Sequence, residues 1–185
     1  MKRSFAFKVV AGLAAIGAIG AFLFAQTSDL DRIHQGIAAK YTGIDHIPAE
    51  DFAALSGEDV IVFDVREAEE FAVSHLSGAI QVSPDISDTE FKERFAGQLK
   101  GRRAVFYCSV GVRSSILAQR VAALVENRTG MAPANLIGGI FNWSNDGRPM
   151  VSRQNSGTQS VHPYDDYWGR LIENRDAITY APDAG

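Results

Sequence analysis

Two runs with hardly a polar side chain, "DVIVFDV" (residues 59–65) and "RAVFYC" (residues 103–108), constrain the fold of this chain more than any other feature. A strand with one wet face alternates apolar and polar residues. These runs do not alternate, so each needs cover on both faces, as in a parallel sheet packed between helices. The rest of the chain supplies the cover. "PAEDFAALSG" reads as a helix with Pro48 in its first turn and Gly57 as its stop, and "REAEEFAVSH" as a short helical stretch. "SDTEFKERFAGQL" opens with Ser87 and Glu90 at capping-box spacing, and "SSILAQRVAALVEN" is one amphipathic helix with Leu117, Val121 and Leu124 on its inner stripe. Shorter strands are expected in "YTGIDHI", "GAIQVS" and "ANLIGGI". The order is that of an α/β domain.

The ends differ from this middle. "MKRSFAFK" carries Lys2, Arg3 and Lys8 and no acid, and an uncharged run follows from Val9 to Ala25. That is the pattern of an export signal, and the 17-residue run also reaches the lower edge of a membrane anchor. Residues 1–25 are therefore read as a signal peptide or N-terminal tether. With the cations on the N-terminal side, the rest of the protein is expected outside the cytoplasm, periplasmic or membrane-anchored. Residues 26–40 read as a polar, helical linker, residues 41–150 as the domain, and 151–185 as a C-terminal extension. The extension is polar apart from the cluster "YDDYW" at Tyr164–Trp168, for which core packing is favoured over partner binding.

Chemistry concentrates at one point. Cys108 is the single cysteine of 185 residues, so no internal disulfide is possible, and the four histidines show no metal-ligand spacing. In open parallel sheets ligands bind beyond the carboxyl ends of the strands, and Cys108 and Asp64 both stand there. Ser109, Val110, Gly111 and Val112 follow the cysteine, none of them bulky or acidic, and Arg113 comes next. A loop of that kind, closing on a helix N-terminus, turns backbone N–H groups inward as a seat for an anion, with Gly111 supplying the angle a Cβ resists. Positive potential from the helix and Arg113 favours a thiolate nucleophile. Ser114 and Ser115 fall at the helix start, where hydroxyls cap N–H groups. No nicotinamide or metal cofactor is implied. With a formal charge of −4, nothing points to nucleic acid.

"CSVGVRS" resembles the active-site loop of rhodanese-domain sulfurtransferases, and the resemblance runs over roughly residues 41–150. "FDVREAEEFAVSHLSGAIQVS" matches a second family segment at Asp64, Arg66, Glu67, Glu70, His75, Gly78 and Ala79; "LIGGIFNW" matches a third at Gly138, Gly139 and Trp143. The resemblance implies a three-layer α/β/α fold with a five-stranded parallel sheet. It also implies transfer of a sulfane sulfur through a persulfide on Cys108. Ser109, Val110, Gly111, Val112 and Arg113 would bind a small sulfur-containing anion as donor, with a thiol or cyanide as acceptor. Asp64, Arg66 and Ser114 are expected to support the site, Arg66 chiefly by pairing with Glu67, Glu70 or another acid to pin the short helix. His75 would be a structural hydrogen-bonder. The loop departs from relatives that handle thiosulfate well in being less basic at Ser109 and Val110, and Ser77 stands where proline is usual.

Two rivals follow from the same residues. A cysteine phosphatase of the cell-cycle type shares the fold, but its loop has one more residue before the arginine, and Tyr107 stands where its histidine would be. A sulfur-carrier or partner-binding module would keep the loop without turning over.

Overall fold

The computed structural model describes residues 28–55, 57–154 and 156–182. The expected signal or anchor at residues 1–25 lies outside them. Among the described residues no helix is long and apolar enough to cross a membrane.

The chain runs α1 (Asp29–Lys40), β1 (Asp45–Ile47), α2 (Ala49–Ala53), β2 (Val60–Asp64), α3 (Ala68–Val73), β3 (Ile80–Gln81) and α4 (Asp88–Phe95). It continues through β4 (Arg103–Tyr107), α5 (Val112–Arg120), α6 (Ala122–Thr129), β5 (Ala134–Leu136) and α7 (Gly139–Asn145). Then follow a short hairpin, β6 (Met150–Val151) and β7 (Gly157–Thr158), and α8 (Asp166–Gly169). Among the described residues the main sheet has five strands in the order β1-β5-β4-β2-β3, every neighbouring pair parallel. This is the expected α/β fold with helices on both faces.

Side-chain alternation along the two apolar strands explains why both faces are covered. Val60, Val62, Val105 and Tyr107 point into one cluster, which α7 closes with Ile140, Phe141 and Trp143. Ile61, Phe63, Ala104 and Phe106 point into the other, beneath Phe91 and Phe95 of α4 and Leu117 of α5. Phe63 anchors that second face, stacking on Phe106 at 4.9 Å between ring centroids and meeting Phe91 and Phe95 edge-on at 5.2 and 5.1 Å. Ser87 caps α4, its hydroxyl accepting the Glu90 N–H at 3.1 Å, which is one half of the capping box; the Glu90 carboxylate accepts from Arg94 at 3.1 Å.

Three local expectations need correction. The α2 helix ends at Ala53, well before Gly57. The long helix expected after Cys108 is two, broken where Val121 leaves helical angles (φ −98°, ψ 6°); no Gly or Pro marks that break. The stretch read as a linker contributes α1, whose Leu30 and Ile37 are buried at 6% and 5% exposure. Their seven-residue spacing puts both on one stripe, and burial of that stripe makes α1 part of the packed body.

The C-terminal segment is also docked. Val161 and Ile172 are fully buried, and Thr179 donates its N–H to the Val161 carbonyl at 3.1 Å. Asn145 of α7 donates to the Leu171 carbonyl at 2.9 Å and accepts the Glu173 N–H at 3.0 Å. The packing of α1 is testable: Ile37→Ala should lower unfolding stability in urea by about 2 kcal/mol or more. A loss below about 0.5 kcal/mol would mean that α1 rests on the surface without contributing to the core.

Candidate active site

Strand register sets the site. Asp64 and Tyr107, the last residues of β2 and β4, are direct neighbours in the sheet, and Cys108 follows at once. The loop then turns through Gly111, whose φ of +102° lets the chain enter α5 at Val112. Gly111 donates its N–H to the Cys108 sulfur at 3.2 Å. A Cβ at Gly111 would also come within 3.0 Å of the Asn135 amide nitrogen on β5. The angle expected of Gly111 is therefore present, and a close approach behind the loop adds to it.

What turns the loop is α7. Ile140 and Phe141 donate their N–H groups to the carbonyls of Cys108 and Ser109 at 2.9 and 3.1 Å. With those acceptors drawn away, it is the Gly111 N–H that meets the sulfur. The approach is close enough to require glycine: a Cβ on Gly139 (φ +57°) would sit 2.3 Å from the Cys108 carbonyl oxygen and 2.7 Å from that of Ser109. This is a physical reason for the second glycine of "LIGGI".

The side of the loop is held by Glu70, which is buried at 1% exposure on α3. Arg113 grips it with two hydrogen bonds of 2.7 and 2.8 Å, and Ser109 donates its hydroxyl to the same carboxylate at 2.9 Å. Arg113 also donates to the Ser109 hydroxyl at 2.9 Å. Burial works against the Glu70 charge, but the hydrogen bonds and charge of Arg113, with the Arg66 charge and the Glu67 N–H, hold its carboxyl below the usual range. Burial likewise opposes the Arg113 charge and is outweighed by Glu70 and Cys108, so the guanidinium stays firmly protonated. Sequence reasoning saw Glu70 only as a motif position and a partner for Arg66. The missed signal was a carboxylate placed early on a short helix, with Arg113 the lone cation of the loop.

Beneath lies a second buried ion pair. Arg66 binds Asp64 through two hydrogen bonds of 2.8 and 2.6 Å and reaches the Ser74 carbonyl at 2.6 Å, tying α3 to β2. The acid partner expected for Arg66 is thus Asp64. The Tyr107 hydroxyl donates to Asp64 at 2.6 Å and accepts the Leu76 N–H at 3.1 Å. Asp64 therefore meets the active loop through the residue before Cys108, and neither Asp64 nor Arg66 lines the pocket. His75 is structural, stacked on Phe71 at 3.8 Å with Nδ1 at 3.0 Å from the Phe71 carbonyl.

The serines at the start of α5 are not caps. Ser114 donates to the Asn135 side-chain oxygen at 2.6 Å, and Ser115 to the Gly111 carbonyl at 2.7 Å. The helix is entered through the left-handed Gly111 instead, so the hydroxyls are free to brace loop against strand. Asn135, a buried amide in an otherwise apolar strand, was missed by sequence reasoning.

Above the loop a pocket of about 200 Å³ opens. Its lining comes from Cys108, Ser109, Val110, Val112 and Arg113, with Tyr164 and Trp168 completing the wall. Four of the five expected donor-binding residues line it; Gly111 acts from behind through its N–H. The two aromatics belong to the C-terminal extension, for which sequence reasoning favoured core packing. Trp168 meets that expectation in part, while Tyr164 stays 47% exposed.

Residues 48–146 match the rhodanese-like domain family. The chain is 33% identical over 95 residues to a sulfurtransferase of Allochromatium vinosum, a match covering 51% of this chain and 81% of that protein. The chain belongs to the rhodanese-like domain family. It is also 37% identical over 78 residues to a tRNA uridine(34) hydroxylase of Staphylococcus haemolyticus, but spans only 23% of that protein's length. Among solved structures, a thiosulfate sulfurtransferase from Pseudomonas aeruginosa is similar in fold at a TM-score of 0.51 and 17% identity. That match covers 76% of this chain and 25% of the other.

Two outcomes follow from this geometry. Gly139→Ala should cost about 2 kcal/mol or more, because strain at positive φ is joined by a backbone clash. Gly147→Ala shares the positive φ (+66°) without the clash and should cost less; equal losses in thermal unfolding would remove the close-approach argument. The second concerns acid. With its folded-state pKa held below the ordinary 4.5, Glu70 contributes stability above that value and loses it as pH falls through the lower folded value. Glu70→Gln should therefore be less stable than wild type near neutrality by about 2 kcal/mol, with the two curves converging in acid. Curves that stay parallel down the acid limb would contradict it.

Proposed function

We propose that this chain is a sulfurtransferase that passes a sulfane sulfur from a small donor anion such as thiosulfate to a thiophilic acceptor, through a persulfide on Cys108. One observation carries the reading. The chain's single thiol lies at the floor of a pocket, bonded by the Gly111 N–H, in a loop whose Cys108 and Ser109 carbonyls α7 has drawn to the far side.

In the first half-reaction the Cys108 thiolate attacks the outer sulfur of thiosulfate. The new S–S bond forms as the old one breaks, and sulfite leaves with the bonding pair. The Gly111 N–H, already on the sulfur, stabilises the negative charge there, and the loop it belongs to seats the persulfide. Arg113 contributes positive potential, braced by Glu70 so that its position does not depend on substrate. In the second half-reaction the acceptor attacks the outer persulfide sulfur and returns the Cys108 thiolate; with cyanide the product is thiocyanate. No proton need move in either step, which agrees with a site in which His75 is engaged with Phe71 and away from the pocket lining.

The test is cyanolysis by the purified full chain, read alongside intact mass. Wild type should gain one sulfur on treatment with a sulfane-sulfur donor, lose it to cyanide, and show ping-pong kinetics. Cys108→Ser should retain the fold, gain no sulfur, and lose turnover by a factor of roughly a thousand or more. A Cys108→Ser variant with wild-type turnover would end this reading. A wild-type adduct that forms but does not turn over would mark a sulfur-carrier module instead of an enzyme.

A further inference from the structure

The wall of the pocket supplied by the C-terminal extension has a chemistry that a seat for a bare inorganic anion does not need. Arg113 is the one cation among the described residues lining the pocket, and its charge is committed. Both terminal nitrogens are bonded to Glu70 and one also to Ser109, so three of the five N–H groups of the guanidinium are spent on protein partners. Its face is covered as well: the centre of the guanidinium lies 4.8 Å from the centroid of the Tyr164 ring. The Asp64–Arg66 pair behind the loop is likewise neutral as a unit. A dianion entering here meets little uncompensated positive charge from side chains.

Apolar surface is what the pocket does offer. Val110, Val112, Tyr164 and Trp168 face it, and its volume of about 200 Å³ is many times what a water needs, roughly 10–15 Å³ of comparable space. The aromatic wall is held in place. Asp165 accepts the Trp168 N–H at 2.8 Å, and a Cβ at Gly169 would meet Pro163 at 2.7 Å, so the turn of α8 packs tightly on Pro163. Tyr164 is the one non-glycine at positive φ (+68°) among the described residues, and its N–H donates to His162 Nδ1 at 3.0 Å. A bulky residue in that conformation costs on the order of 1–2 kcal/mol. The strain is borne by the residue that places a ring over the mouth of the site.

Resting on the sulfurtransferase reading above, we propose that the pocket takes donors whose sulfane sulfur is carried on an organic group with an apolar face, and that Tyr164 and Trp168 select for that group. An organic thiosulfonate shows the chemistry. Cys108 thiolate attacks its outer sulfur, the S–S bond breaks, and the organic sulfinate leaves with the electron pair, its organic group against the aromatic wall.

Methanethiosulfonate and benzenethiosulfonate form a matched pair for the test. Both are monoanions that release a sulfinate, and they differ only in the organic group. With the full chain and cyanide as acceptor, kcat/KM should favour benzenethiosulfonate over methanethiosulfonate by about tenfold, the size of one good aromatic contact. Tyr164→Ala, at an exposed position where folding is not at risk, should bring that ratio to within about twofold of one, and Tyr164→Phe should keep it. A wild-type ratio near one, or a ratio unchanged in Tyr164→Ala and Trp168→Ala, overturns the assignment while leaving the sulfurtransferase reading intact. Failure of both thiosulfonates and of thiosulfate to load Cys108 with sulfur overturns both.

Discussion

The start of α7 lies against the carbonyls of Cys108 and Ser109, and most of what is distinctive about the site follows from that contact. A loop after a parallel strand is free to point its carbonyls or its amides at solvent. Here two N–H groups of α7 claim the carbonyls, and only a residue without a Cβ at position 139 permits the approach. Once the carbonyls are drawn off, the Gly111 N–H meets the sulfur and the remaining loop faces the pocket with its small side chains. On the proposed function, a charged sulfur at Cys108 would meet the Gly111 N–H already in position, which costs no rearrangement during the reaction.

Charge around this loop is paired before any substrate arrives. Glu70 with Arg113 and Asp64 with Arg66 are salt bridges whose acids are buried, and each is braced by further hydrogen bonds to a hydroxyl or carbonyl. Pairs of this kind add little net stability over apolar packing, but losing one member strands a charge, so they enforce a single arrangement of α3 against the loop. Tyr107 links the two levels, its hydroxyl on Asp64 and its backbone leading directly into Cys108. Rigidity is the gain, and the cost is that Arg113 holds less free charge for a substrate than its place in the loop implies.

The C-terminal extension supplies what that electrostatic economy leaves out. Lying beyond residues 48–146, which match the rhodanese-like domain family, it adds an aromatic wall to a site otherwise made of backbone and small side chains. Its anchorage through Val161, Ile172 and the Asn145 amide makes the wall part of the same packed body as the sheet.

By itself the sequence determined the architecture and the place of the thiol. Continuous apolar runs at 59–65 and 103–108 demand a covered parallel sheet, and such a sheet presents its site at the strand ends, where Cys108 stands. The small residues from Ser109 to Val112, with Arg113 next, mark the loop because their local spacing is their function. The tertiary structure alone decided the partners. That Glu70 seizes Arg113, that Asn135 braces Ser114, and that Tyr164 crosses from the far end of the chain to cover the guanidinium are contacts between residues 21 to 51 positions apart. Nothing in local periodicity encodes such pairings, because they form only when the strand order β1-β5-β4-β2-β3 brings distant segments together at the carboxyl ends of the strands. The same holds for α1 and the extension. Both read as mostly polar from their composition, and burial of Leu30 and Ile37 in the one and of Val161 and Ile172 in the other makes them part of the packed body.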